Sequence, residues 1–233
     1  MDSLTAIKKL VFEEKRLSLP QLAEILKKDY KGEEQLLDYV KEALPKYGND
    51  LKEADELAAL LVNETAVRTQ GLKNERGGVF LAGYYSVYHH AAMGRLTGAL
   101  PDGKRRGEAL ANGLSPVQGA DRDSPLAVIH SMAAFDQTMF ANGMVLDIKL
   151  TPSFFKNAVH RKYFRPFAEV YFKQGGMELQ VNVVDKKTLL EAKKHPENYK
   201  NLIVRVSGFS AYFVYLFEEL QDEIIKRTEY GGP

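Results

Sequence analysis

Between Leu179 and Val206 the chain changes its hydrophobic rhythm twice, and no other stretch constrains the fold as much. Leu179 to Val184 alternates as a strand, and Lys187 to Lys194 reads as a helix closed by His195-Pro196. Leu202 to Val206 is a second short strand that runs into Ser207-Gly208. A helix between two strands predicts an α/β arrangement with parallel strands, in which ligands gather at the C-terminal strand ends. The loop after Leu202 to Val206 is such an end.

The preceding residues supply what such a sheet packs against. Leu4, Ile7, Leu10 and Val11 recur at helical spacing, and Leu22, Ile25 and Leu26 mark a second helix, with Ser18 as its cap, Pro20 in its first turn and Gln21 three residues after the cap. Leu36, Leu37, Val40 and Leu44 predict a third, stopped by Pro45, and Leu57, Leu60 and Leu61 begin a fourth that runs to about Thr69. Ten glycines between Gly71 and Gly119, with short apolar runs such as Val79 to Ala82, predict strand and loop there. Pro125 to Phe140 is expected to be helical, Met144 to Leu150 a strand, Phe154 to Gln174 a helix, and about Tyr212 to Arg227 the last helix. These patterns divide the chain into a helical region at 1–70, a region of strands, loops and helices at 71–174, and a C-terminal domain at 175–233.

Composition narrows the chemistry. At 233 residues and 45% hydrophobic content the chain can bury a core. Its 32 Lys and Arg nearly cancel 31 Asp and Glu, so no overall field selects nucleic acid or an anionic membrane as partner. No run reaches the roughly 20 apolar residues of a membrane helix and Met1 to Lys15 carries scattered charges, which together predict a cytoplasmic protein. The absence of cysteine removes disulfides, thiolate metal sites and thiol nucleophiles of this chain's own.

Three local patterns look like sites and do not hold up. Gly98, Gly103 and Lys104 match the spacing of a phosphate-binding loop, but Arg105 replaces its Ser or Thr and Pro101 removes an amide donor. Asp121 and Asp123 begin like a calcium loop, yet Pro125 interrupts the ligand series and no bidentate Glu follows. His89 and His90 are adjacent, so they point in different directions and make a poor metal pair. No metal site is expected.

The segment Val204-Arg205-Val206-Ser207-Gly208-Phe209-Ser210-Ala211-Tyr212-Phe213 resembles the C-terminal signature of the glycyl radical enzymes, the family of pyruvate formate-lyase and the diol and choline lyases. Gln221 to Thr228 is similar to the family's closing helix, Gly175 to Asp185 to the strand before the radical loop, and His195 to Tyr199 to the connection between them. Gly98 to Lys104, Leu114 to Asp121 and Pro45 to Asp50 also resemble family segments, in the family's order. The wording from Val204 to Arg227 is nearest to the diol-dehydratase branch.

That resemblance implies the C-terminal half of a ten-stranded α/β barrel, with Gly208 as the residue that stores a radical in an anaerobic lyase or dehydratase. A glycine α-carbon suits this because it lies between an amide nitrogen that donates and a carbonyl that withdraws, with no side chain to twist the backbone. Arg205, Val206, Ser207, Phe209 and Ser210 would shape the loop and its recognition by an activating enzyme, although Arg205 can equally be a strand arginine paired with a carboxylate. Val204, Val206, Phe209, Tyr212 and Phe213 would exclude oxygen and water. Ser115, Pro116, Val117, Gln118 and Arg227 are candidates for the substrate pocket; a structural turn at Pro116 and a solvated arginine at a helix end remain open for these.

The chain departs from the family in having no catalytic cysteine and no first half-barrel. The resemblance therefore implies three partners: a larger chain that supplies the thiol, a radical S-adenosylmethionine activating enzyme that installs the radical, and a small-molecule substrate. Beginning at Met1 in a plausible helix favours a split-gene subunit, with a cut fragment of a longer enzyme as the open alternative. It binds no cofactor directly in this view. A spare-part subunit that restores an oxygen-cleaved enzyme, and a non-catalytic scaffold of the same fold, remain alternatives.

Overall fold

A computed structural model describes residues 1–231; Gly232 and Pro233, the end of the expected 175–233 domain, lie outside the described residues. The first helix, α1 (Asp2–Ile7), continues as π-helical turns from Lys8 to Glu13. Next, α2 (Leu19–Lys27) opens as its sequence dictates: Ser18 Oγ accepts the Gln21 N–H at 3.4 Å, and Gln21 Oε1 accepts the Ser18 N–H at 2.8 Å, with Pro20 in the first turn. Helices α3 (Glu34–Glu42) and α4 (Lys52–Thr69) follow. Ala54, Ala58, Val62 and Ala66 form the buried stripe of α4, and such small residues let its backbone approach the core closely.

The glycine-rich segment differs from expectation. Beyond two isolated bridges, Lys73 with Val79 and Tyr84 with Met144, its regular element is a helix, α5 (His89–Leu96). At Gly94 a close backbone approach requires glycine: an added Cβ would lie 2.4 Å from the Glu108 carbonyl oxygen. The helix expected from Pro125 to Phe140 is shorter, α6 (Pro125–Met132), capped by Ser124 and followed by a 3-10 turn at Gln137–Met139. The expected Phe154 to Gln174 helix is two, α7 (Pro152–Lys156) and α8 (Ala158–Lys173), divided where the Asn157 side chain caps the Val159 N–H at 2.8 Å.

Among the described residues, β1 (Val145–Leu150) pairs in parallel with β2 (Glu178–Val183) and with β5 (Glu229–Tyr230), giving the order β2–β1–β5. Helix α9 (Lys186–Lys194) follows β2, its first turn capped by Asp185. The strand leading to Gly208 is β3 (Ile203–Arg205), and it does not join the parallel sheet: it pairs antiparallel with β4 (Ser210–Tyr212) in a hairpin. The expectation that Gly208 follows a parallel strand is thereby corrected. The helix expected from Tyr212 starts later as well, because β4 and a 3-10 turn at Phe213–Tyr215 precede α10 (Glu218–Lys226). No helix among the described residues is long and apolar enough to cross a membrane.

The β1–β2 register decides where function can reside. Leu146, Ile148 and Leu150 with Leu179 and Val181 face a core built on α4, α6 and α8. Side chains alternate across a strand, so the opposite face carries Asp147 beside Gln180 and Lys149 beside Asn182. A second core, including Leu189, Val204, Val206, Phe213, Leu220 and Ile224, joins α9, the hairpin and α10 on that side. Lys149 is 1% exposed and donates to the Ile224 and Ile225 carbonyls at 3.4 and 3.2 Å, at the C-terminal end of α10 where a cation is favoured.

Candidate functional site

The polar face of β1–β2 lies against the Gly208 hairpin and holds it by its backbone. Val206 N–H donates to the Phe209 carbonyl at 2.9 Å, leaving Ser207 and Gly208 as the two-residue turn. Gly208 has φ +80 and Ser207 is not among the positive-φ residues, the pattern of a type II turn that calls for glycine at its second position. Such turns splay a hairpin, so outside support is needed. Asn182 supplies it at Arg205, accepting its N–H at 2.7 Å and donating to its carbonyl at 2.8 Å. Gln180 Oε1 accepts the Gly208 N–H at 2.8 Å, and the Val206 carbonyl accepts from Asn112 Nδ2 at 3.1 Å and Arg227 Nη2 at 2.8 Å.

Beneath these contacts lies a buried charged cluster. Arg227 forms a two-point pair with Glu223, Nε to Oε1 and Nη2 to Oε2, both at 2.9 Å, and its Nη1 stands 3.8 Å from Asp147. Gln118 Nε2 donates to Glu223 Oε1 at 2.9 Å, and His90 Nε2 is 3.4 Å from Glu223 Oε2. Burial alone would raise the Glu223 carboxyl, but Arg227 and His90 outweigh it and hold it at about 2. At Asp147 burial wins over Arg227 and Gln180, and its carboxyl rises to about 6. Asp147 Oδ2 accepts from Asn112 at 2.6 Å, its Oδ1 accepts from Gln180, and its N–H donates to Ser115 Oγ at 3.0 Å. Ser86 completes the ring: its hydroxyl donates to Asn112 Oδ1 and contacts His90 Nδ1, each at 2.7 Å. Just before α5, Val87 takes φ +55, an uncommon conformation for a β-branched residue.

The outer side of the hairpin is bare. Gly208 is exposed, and a Cβ built on it would meet nothing within 4 Å. Val204, Val206 and Phe213 are buried and form the floor of the loop, Phe209 is half-buried and Tyr212 is exposed. Ser207 is buried with its hydroxyl unpartnered, and Arg205 bonds Ser210 Oγ at 3.0 Å in place of a carboxylate. Of the pocket candidates, Ser115, Gln118 and Arg227 are tied into the cluster, and Pro116 packs at the Gly48 turn. Arg227 is 8% exposed, which excludes a solvated helix-end arginine. The sequence reading missed His90, Asn112, Asp147, Gln180, Asn182 and Glu223. A signal was present in β1 and β2: polar residues recurring at every second position of otherwise apolar strands.

Comparison with known proteins places this geometry. A glycine radical family model matches residues 110–214, and a pyruvate formate lyase-like model matches residues 1–94. The chain belongs to the glycyl radical enzyme family. Among curated glycyl radical enzyme relatives, it is 37% identical to the trans-4-hydroxy-L-proline dehydratase of Clostridioides difficile, over 98% of this chain and 29% of that protein. It is 35% identical to the isethionate sulfite-lyase of Nitratidesulfovibrio vulgaris, over 98% of this chain and 28% of that one. The glycerol-bound B12-independent glycerol dehydratase of Clostridium butyricum superposes with a TM-score of 0.93 at 39% identity, covering 99% of this chain and 29% of that structure. The chain thus spans under a third of the length of these glycyl radical enzymes.

Proposed function

We propose that this chain is the radical-bearing component of a glycyl radical lyase or dehydratase, with Gly208 as the radical carrier. The observation that supports this most is the one-sided loop: Gly208 has its N–H and the preceding turn carbonyl gripped from beneath, while its α-carbon faces open space. A backbone α-carbon is useful as a hydrogen-atom donor and acceptor only if another molecule can reach it. The residues that grip the loop fix where it sits without covering it.

In this reading an S-adenosylmethionine-dependent activating enzyme takes one hydrogen atom from the Gly208 α-carbon by homolysis of the C–H bond. The Gly208 radical then takes a hydrogen atom from a thiol on a larger chain, and the sulfur radical so formed takes one from the substrate. The thiol comes from elsewhere because this chain has no cysteine. The polar face of β2–β1–β5 becomes the inner wall of a barrel completed by that larger chain, with residues 1–70 as a helical buttress, 71–174 as half-barrel and 175–233 as the radical domain. Ser115 and Val117, with Tyr84 and Ala111, wall a recess of ≈ 280 Å³ beside Asn112 and are the substrate-facing surface of this chain.

Anaerobic activation followed by electron paramagnetic resonance tests the assignment. A doublet from the remaining α-hydrogen is expected, and admitting air should cut the chain at Gly208, giving fragments on either side that mass spectrometry resolves. Gly208→Ala should abolish both signals. A wild-type chain that never shows the doublet with its partner and activating enzyme present would return the protein to the scaffold alternative.

A further inference from the structure

We infer that Gln180 is a positioning residue for Gly208, oriented by Asp147, and that it fixes the Ser207–Gly208 peptide while the α-carbon changes geometry. This rests on the reading of Gly208 as radical carrier. Gln180 is 3% exposed, and both ends of its amide are committed: Oε1 accepts the Gly208 N–H at 2.8 Å and Nε2 donates to Asp147 Oδ1. The two residues are register partners on adjacent parallel strands, so the bond between them is set by the sheet. Asp147 also holds Asn112, which with Arg227 grips the Val206 carbonyl, so one carboxylate orients two of the three side chains that hold the turn, one on either side of Ser207.

The physical need for such a clamp comes from φ. A glycyl radical is stabilised when its α-carbon plane is coplanar with the flanking peptides, which requires an extended φ. At the resting φ of +80 the 207–208 peptide stands nearly across that plane. Turning about the N–Cα bond leaves the peptide nitrogen, its hydrogen and the α-carbon in place and moves only the groups beyond them, and the open space beside Gly208 gives its α-hydrogens room. The Gln180 bond can therefore persist through the change. A neutral amide oxygen polarises the N–H without removing its proton, so the nitrogen donates more strongly to the radical centre. Asn182, two residues along the same strand, anchors Arg205 by both backbone groups and holds the β3 side of the hairpin.

The test uses the full chain with two variants. Gln180→Met keeps length and bulk but removes the acceptor, so amide exchange at Gly208 should become about tenfold faster while the Arg205 amide is unchanged. In the activated complex the same variant should widen the doublet splitting, because less spin moves to nitrogen. Lys162→Met, a change at an exposed position of α8, should leave the splitting as in the wild type. Gln180→Glu keeps an acceptor for the Gly208 N–H, so it should restore protection and splitting at acidic pH, where its carboxyl can donate to Asp147, and lose them only at higher pH, where two ionised carboxylates side by side repel and push it from the turn; this variant decides the matter should Gln180→Met fail to fold. A wild-type doublet with unaltered exchange and splitting in the variants overturns this inference alone. A wild type without any doublet overturns the radical reading and this inference together.

Discussion

Gly103 and Gly208 occupy turns of the same hand and differ in what surrounds them. Gly103, at φ +93, is packed: an added Cβ would lie 2.7 Å from Lys41 Cγ. Its neighbour Lys104 is equally committed, its ammonium donating to the Gly94, Thr97, Gly98 and Arg105 carbonyls at 3.0 to 3.5 Å and so closing the C-terminal end of α5. Gly208, at φ +80, has an empty outer side and a backbone addressed from within by Gln180, Asn112 and Arg227. A left-handed φ requires glycine in both cases. The surroundings separate a glycine that permits close packing from one that leaves its α-carbon bare, and the lysine at the phosphate-loop spacing spends its ammonium on backbone carbonyls.

The largest expected effect breaks the floor of the Gly208 turn. Arg227→Met leaves Glu223 and Asp147 buried without their cation and should cost about 3–5 kcal/mol in urea unfolding. A loss below about 1 kcal/mol would mean that water reaches the cluster and the floor is not a dry one. Gly103→Ala comes next, since backbone strain of about 1–2 kcal/mol adds to overpacking against Lys41 of about 1–3 kcal/mol. Lys104→Met should cost about 1.5–3 kcal/mol, with faster amide exchange confined to the last turn of α5. Gly208→Ala should cost only the strain, about 1–2 kcal/mol, with no packing penalty. If the two glycine variants lose equal stability, the contrast drawn here is wrong.

The smallest effect is in the pH profile, and its two parts have opposite signs. Glu223 is held at about 2, below its unfolded value, so its contribution is present above about pH 4 and is lost as pH falls toward 2. Asp147 is raised to about 6, so the folded state binds more protons than the unfolded one between about pH 4 and 6, and stability should decline as pH rises through that window. Asp147→Asn should flatten this decline, a change on the order of 1 kcal/mol across the window by unfolding at fixed temperature.

What the sequence disclosed followed the range of the interactions. The Ser18–Gln21 capping box, the end of α4 at Thr69, and α9 between Asp185 and His195-Pro196 are local devices, and each lies where the residues put it. The Gly208 turn was legible because its residues are contiguous. The cluster beneath it was not, since Ser86, His90, Asn112, Asp147, Gln180 and Glu223 meet only after α5, β1, β2 and α10 have packed. Antiparallel β4 was hidden by the apolar run from Phe209 to Leu216, whose spacing fits a helix as readily as a hairpin leaving a tight turn.

The bare outer side of Gly208 has a kinetic consequence. Because, apart from its chain neighbours, nothing among the described residues lies within 4 Å of a Cβ placed on Gly208, a molecule that covers the tip can approach the α-carbon from that side. The protected lifetime of the α-carbon is then set by the residence time of its cover. In the radical role proposed for Gly208, survival in air becomes a property of an off-rate, and substitutions on the surface that covers the tip lengthen or shorten it while every bond beneath the turn stays as it is.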